Sequence, residues 1–134
     1  MEKLEHIGIA VKNLAQANEQ FAKLLGRNHY KIEEVESEGV KTSFFEVGGV
    51  KIELLEASKA DSPIAKFIEK RGEGIHHLAF EVKNINESIE RYKHDGFSPI
   101  NPEPKKGADN KMICFLHPKT TGGVLIELCQ EIKV

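Results

Sequence analysis

Ile7, Ile9 and Val11 alternate with His6, Gly8 and Ala10, which is the period of a strand with one bulky and one open face. A strand is therefore expected over 4–11. The spacing then changes. Leu14, Ala17, Phe21, Leu24 and Leu25 return every three or four residues and predict a helix, with Asn13 as its cap and Gly26 as a left-handed stop. Three strands follow at 29–35, 40–47 and 50–55, the last two joined by a Gly48-Gly49 hairpin. Next comes a short helix capped by Asp61 or Ser62, with Pro63 in its first position and Ile64, Phe67 and Ile68 as its apolar stripe. From Gly74 the order starts again: a strand to Val82, a helix over 85–95 between Asn84 and Gly96, and strands near 97–100, 112–117 and 124–129. The polar stretch 101–110, with two prolines and a glycine, reads as a loop.

The restart is a repeat. Val11-Lys12-Asn13 recurs as Val82-Lys83-Asn84, and Gly48-Gly49-Val50-Lys51-Ile52-Glu53-Leu54 recurs as Gly122-Gly123-Val124-Leu125-Ile126-Glu127-Leu128. His6 maps onto His77 (77 − 6 = 71) and Glu53 onto Glu127 (127 − 53 = 74). Two βαβββ modules are expected, one over about 1–58 and one over about 73–134, with a linker helix over about 59–72.

Alternation sorts the side chains. His6 shares its face with the small Gly8 and Ala10, and His77 shares its own with Ala79, while Leu78, Phe80 and Val82 form the bulky side. This selects His77 over His76 as the residue facing open space. Glu53 lies opposite Val50, Ile52 and Leu54, and Glu127 opposite the copy of that face. A lone strand histidine is most often a structural, hydrogen-bonded residue, and a lone strand glutamate usually faces solvent. Four such residues at equivalent positions of a repeat favour a shared metal site. Two imidazoles and two carboxylates suit Co²⁺, Ni²⁺, Mn²⁺ or Zn²⁺ and, in six-fold coordination, leave two positions for substrate oxygens or water.

Bulk properties exclude several classes. The 134 residues carry 19 basic and 21 acidic side chains, a net charge of −2, so no footprint for nucleic acid or a membrane surface appears. No apolar run reaches spanning length, the N-terminus lacks a signal-peptide profile, and the two cysteines form no disulfide framework. A cytoplasmic protein is expected.

The stretches 4–11, 61–67 (Asp-Ser-Pro-Ile-Ala-Lys-Phe), 72–82, 115–119 (Phe-Leu-His-Pro-Lys) and 122–128 resemble the vicinal-oxygen-chelate (glyoxalase) superfamily, and within it the methylmalonyl-CoA epimerases. The resemblance implies an α+β fold in which the two modules form an incomplete mixed β-barrel around a divalent metal. It implies His6, Glu53, His77 and Glu127 as ligands, with Glu127 doubling as a catalytic base. A second glutamate, expected from the first module's third strand as the opposite catalytic base, is replaced by Thr42. Glu46, two alternations along on the same face, and its rough counterpart His117 are the candidates for that proton-transfer role, or else strand-end hydrogen-bonding groups. An acyl-CoA substrate would find its phosphate partners among Lys66, Lys105, Lys106 and Lys119, with His117 nearby, and similar proteins imply a homodimer. Where family members often carry a glycine or histidine pair after Gly107-Ala108, this chain has Asp109-Asn110. Alternative readings are a glyoxalase I type of isomerisation with the same four ligands and a non-catalytic protein that sequesters a metal or antibiotic. A catechol-type dioxygenase, which would normally have one ligand fewer, ranks last.

Overall fold

The computed structural model describes residues 1–133; the last residue of the expected second module, Val134, lies outside them. The described chain forms two compact units. The first is His6–His76, and the second joins Met1–Glu5 to the chain from His77 onward.

The first unit holds most of β1 (Lys3–Ala10), α1 (Leu14–Leu25), β2 (Lys31–Val35), β3 (Val40–Val47), β4 (Val50–Ala57) and α2 (Pro63–Arg71). Its strands are ordered β2-β3-β4-β1, with β1 parallel to β4 and the other pairs antiparallel. The second unit holds most of β5 (Gly74–Glu81), then α3 (Ile85–His94), β6 (Lys105–Lys106), β7 (Lys111–Leu116) and β8 (Ile126–Glu131). Its order, β5-β8-β7-β6, has the same mixture of one parallel and two antiparallel pairs. The repeat in the sequence is thus a repeat of topology. The parallel pair in each unit needs a crossover, and the helix supplies it.

Local chemistry sets the helix ends. Asn13 Oδ1 accepts from the Gln16 N–H at 2.9 Å, and Asn84 Oδ1 from the Glu87 N–H at 3.1 Å. Of the two caps considered for α2, Ser62 takes the role, its hydroxyl accepting from the Ala65 N–H at 3.1 Å, with Pro63 in the first turn. A second layer of anchoring comes from the sheets. Glu56 Oε2 accepts from the Leu14 N–H at 2.9 Å, and Gln130 Oε1 from the Ile85 N–H at 2.7 Å. Positions 56 and 130 are repeat equivalents (130 − 56 = 74), so each module ties the start of its helix to its last strand.

One face of each sheet packs on its helix. In the first unit Val11, Leu14, Ala17, Phe45 and Leu54 form that core, and in the second Val82, Ile85, Ile89, Cys114, Leu116 and Leu128. Burying one such large aliphatic side chain contributes about 2 kcal/mol. On the other face of the first unit, α2 covers Ala10, Val40 and Leu55 through Ile64, Phe67 and Ile68, closing one end of the open surface.

Several expectations need correction. Leu24 does not join the α1 stripe: it is 72% exposed, and Asn18 is buried in its stead. The expected strand at 97–100 reduces to a single bridge between Pro99 and Leu116, because prolines at 99 and 102 remove the N–H groups that a ladder needs. The expected loop at 101–110 contains a two-residue strand, Lys105–Lys106, paired to β7. β8 starts at Ile126 rather than at 124, since the Val124 carbonyl is taken by the Thr121 hydroxyl and left out of the ladder. Asp109 and Asn110 take consecutive left-handed conformations in the β6–β7 hairpin (φ 59° and 54°).

Gly39 is the residue on which the seat of α2 depends. Its φ is +62°, and an added Cβ would stand 2.8 Å from the Ser62 Cβ. Gly39→Ala is expected to cost about 2 kcal/mol from the left-handed conformation alone. Urea denaturation should show the midpoint falling by about 1 M; an unchanged midpoint would refute this account.

Candidate metal centre and active site

Each unit holds one histidine and one glutamate on the open face of its central strands. In the first, β1 and β4 run in register with Gly8 opposite Glu53, and Phe44 of β3 lies on Glu53's other side. The missing side chain at Gly8 leaves room for the carboxylate. His6 Nδ1 faces Glu53 Oε2 across 3.1 Å. In the second, Ala79 pairs with Glu127, and Phe115 of β7 lies on Glu127's other side. His77 Nε2 faces Glu127 Oε1 across 3.2 Å, and the His77 ring stands edge-on to Phe115 with centroids 5.5 Å apart. His76 turns elsewhere and packs edge-on against Phe67. The aromatic neighbour of each carboxylate, Phe44 or Phe115, is a repeat feature that the sequence reading missed, although 115 − 44 = 71 repeats the histidine spacing.

All four residues are between 4% and 6% exposed. A carboxylate so dry requires a compensating cation, either a protonated imidazole or a metal. The donors fit a divalent ion. Imidazole nitrogen and carboxylate oxygen are its preferred ligands, and each unit holds one of each, side by side and dry.

The remaining expected site residues are more dispersed. Thr42 is fully buried on β3, whereas Glu46 is exposed near the hairpin end, in register with Lys51. Arg27 donates to the Glu46 backbone carbonyl at 2.8 Å. His117 caps a 3-10 turn, its Nδ1 accepting from the Lys119 N–H at 3.1 Å. Lys66 is exposed on α2, Lys106 and Lys119 are exposed in the second unit, and Lys105 is half-buried beside Lys106. Two further charged groups escaped the sequence reading: Glu5 and Lys111, both buried in the second unit.

Comparison with known proteins follows from this geometry. Residues 5–115 match the profile of the glyoxalase/bleomycin resistance protein/dioxygenase superfamily. The chain belongs to that superfamily. Human mitochondrial methylmalonyl-CoA epimerase is 39% identical to it over 129 residues, covering 96% of this chain and 73% of the human one. The ethylmalonyl-CoA/methylmalonyl-CoA epimerase of Cereibacter sphaeroides is 39% identical, covering 96% and 97%. Among solved structures, a Streptomyces coelicolor methylmalonyl-CoA epimerase variant in complex with 2-nitronate-propionyl-CoA superposes with a TM-score of 0.94 at 31% identity, covering 100% and 97%. The fold expected of the superfamily, α+β with paired βαβββ modules, is the fold observed.

Cys129 follows Glu127 on the same face, packed with Ala79, Ile113 and Phe115. Burial pushes its thiol far above the usual range, the nearby charges of Glu127 and Glu5 push it further, and Lys111 opposes them. Cys114, on the helix face, is also raised by burial, with Lys105 opposing. Both sulfurs therefore stay protonated and inert at neutral pH. A disulfide reagent at pH 8 should label neither cysteine in the native protein and both after denaturation; prompt labelling of the folded chain would contradict this.

Proposed function

We propose that this chain is a methylmalonyl-CoA epimerase, which inverts the carbon between a thioester and a carboxylate by removing and returning its proton. The observation that carries this reading is full-length likeness to such epimerases in a chain that keeps an imidazole–carboxylate pair in each repeat. The nitronate analogue held by the Streptomyces coelicolor relative supports it. A nitronate is a planar, delocalised anion, the form that an α-carbon takes when it has lost its proton.

In this reading both pairs serve one divalent ion, Co²⁺, Ni²⁺, Mn²⁺ or Zn²⁺, with His6, Glu53, His77 and Glu127 as ligands. When bound, the ion would supply Lewis-acid stabilisation of the negative charge that develops on the substrate. The chain's own residues do the rest. Glu127 takes the proton from carbon 2 on one face, helped by its dry surroundings and by Phe115 and Ala79, which keep water from its flanks. A separate proton donor on the opposite face returns one, which inverts the carbon. Glu53 and His6 give the first unit's share of the binding, set by the space at Gly8. The thiol of Cys129, kept protonated, adds no competing nucleophile. Lys66, Lys105, Lys106 and Lys119 are assigned to the phosphates of the CoA portion.

The test is deuterium uptake at carbon 2 of methylmalonyl-CoA in heavy water, set against turnover of methylglyoxal with glutathione. Metal-loaded protein should exchange the first substrate and leave the second unchanged. Glu127→Gln should lower exchange by about a thousandfold. Metal analysis should find one ion per chain, lost from His6→Ala and from His77→Ala alike. Two ions per chain, or one that survives either substitution, would break the shared-ion reading.

A further inference from the structure

Lys111 is a charged residue that the proposed reaction leaves without a task. It opens β7 and is only 8% exposed. Alternation places it with Ile113 and Phe115, on the face that carries Ala79, Cys129 and Glu127. The register runs Phe115–Glu127, Ile113–Cys129, Lys111–Glu131, so Cys129 lies between the lysine and the catalytic carboxylate. The charges of Lys111 and Glu127 both act on the Cys129 thiol, in opposite directions. Among the described residues no hydrogen bond or ion pair holds the Lys111 ammonium.

The stem of Lys111 is buried while its ammonium has no partner within the described chain, so the charge adds little to stability and a methionine of similar length would keep the packing. Such a group fits an anion that arrives from outside the chain. Building on the proposed reaction, we infer that Lys111 is a substrate-contacting residue that recognises the free carboxylate of a malonyl-type thioester. The lysine would then distinguish dicarboxylic acyl groups from neutral ones, which have nothing to offer its ammonium. It would also hold that carboxylate on the second unit's open face, fixing the C–H bond of carbon 2 toward Glu127.

Calorimetric binding of malonyl-CoA and propionyl-CoA tests the inference, since only the first carries the carboxylate. The comparison uses wild type, Lys111→Met, Lys111→Gln and Lys111→Arg, each with metal and after metal stripping. Lys111→Met should lose about tenfold or more in affinity for malonyl-CoA, with and without metal, and keep its affinity for propionyl-CoA. Its metal content should be unchanged and its melting temperature equal or higher. Lys111→Arg should recover part of the preference. Equal losses for both thioesters, no loss for either, or a lower melting temperature in both Lys111→Met and Lys111→Gln would overturn the inference. Wild type that exchanges deuterium while Lys111→Met keeps its ligand preference sinks the lysine alone. Wild type that neither exchanges nor prefers malonyl-CoA sinks the proposed reaction as well.

Discussion

Two carboxylates held almost out of water, each against an imidazole, constrain everything else in this fold. A dry carboxylate without compensation would cost several kcal/mol. The strands around each one are arranged to avoid that. Gly8 and Ala79 give up side-chain volume so that Glu53 and Glu127 fit beside their histidines, and Phe44 and Phe115 close the far sides. The packing of each helix on the opposite face keeps the strands in the register that this arrangement needs. A slip of one residue would turn each carboxylate toward a helix and its apolar core.

Much of this was legible in the amino-acid order, and the reason is the repeat. Alternation alone puts His6 and Glu53 on an open face, but it says the same of many solvated residues. Finding the same pair again at His77 and Glu127 set these four residues apart from that background. Capping was equally readable, since Asn13, Asn84 and Pro63 act through neighbours a few positions away. What could not be read were interactions between residues far apart in sequence. Glu56 and Gln130 reach back more than forty positions to hold the helix starts. Nothing local marks them for that role.

The errors have the same origin. The stretch at 97–100 has strand-like composition, yet Pro99 within it and Pro102 just beyond leave too few donors for a ladder. Lys111 falls between the expected loop at 101–110 and the expected strand from 112, and belongs to neither. Only the pairing of β6 with β7 draws it into the sheet and turns it inward. Nothing local singles out Glu5, which is buried in the second unit.

The assignment of Met1–Glu5 to the later half of the chain has a consequence for how the polypeptide is made. The Glu2 N–H bonds to the Glu81 carbonyl at 2.7 Å, so this segment finds its place only after the fifth strand has been synthesised. The N-terminal module can acquire its helix and hairpin early, but its leading strand remains half-docked until synthesis is well past the midpoint. Any change that holds residues 1–5 away from Glu81 would therefore delay completion of the second unit.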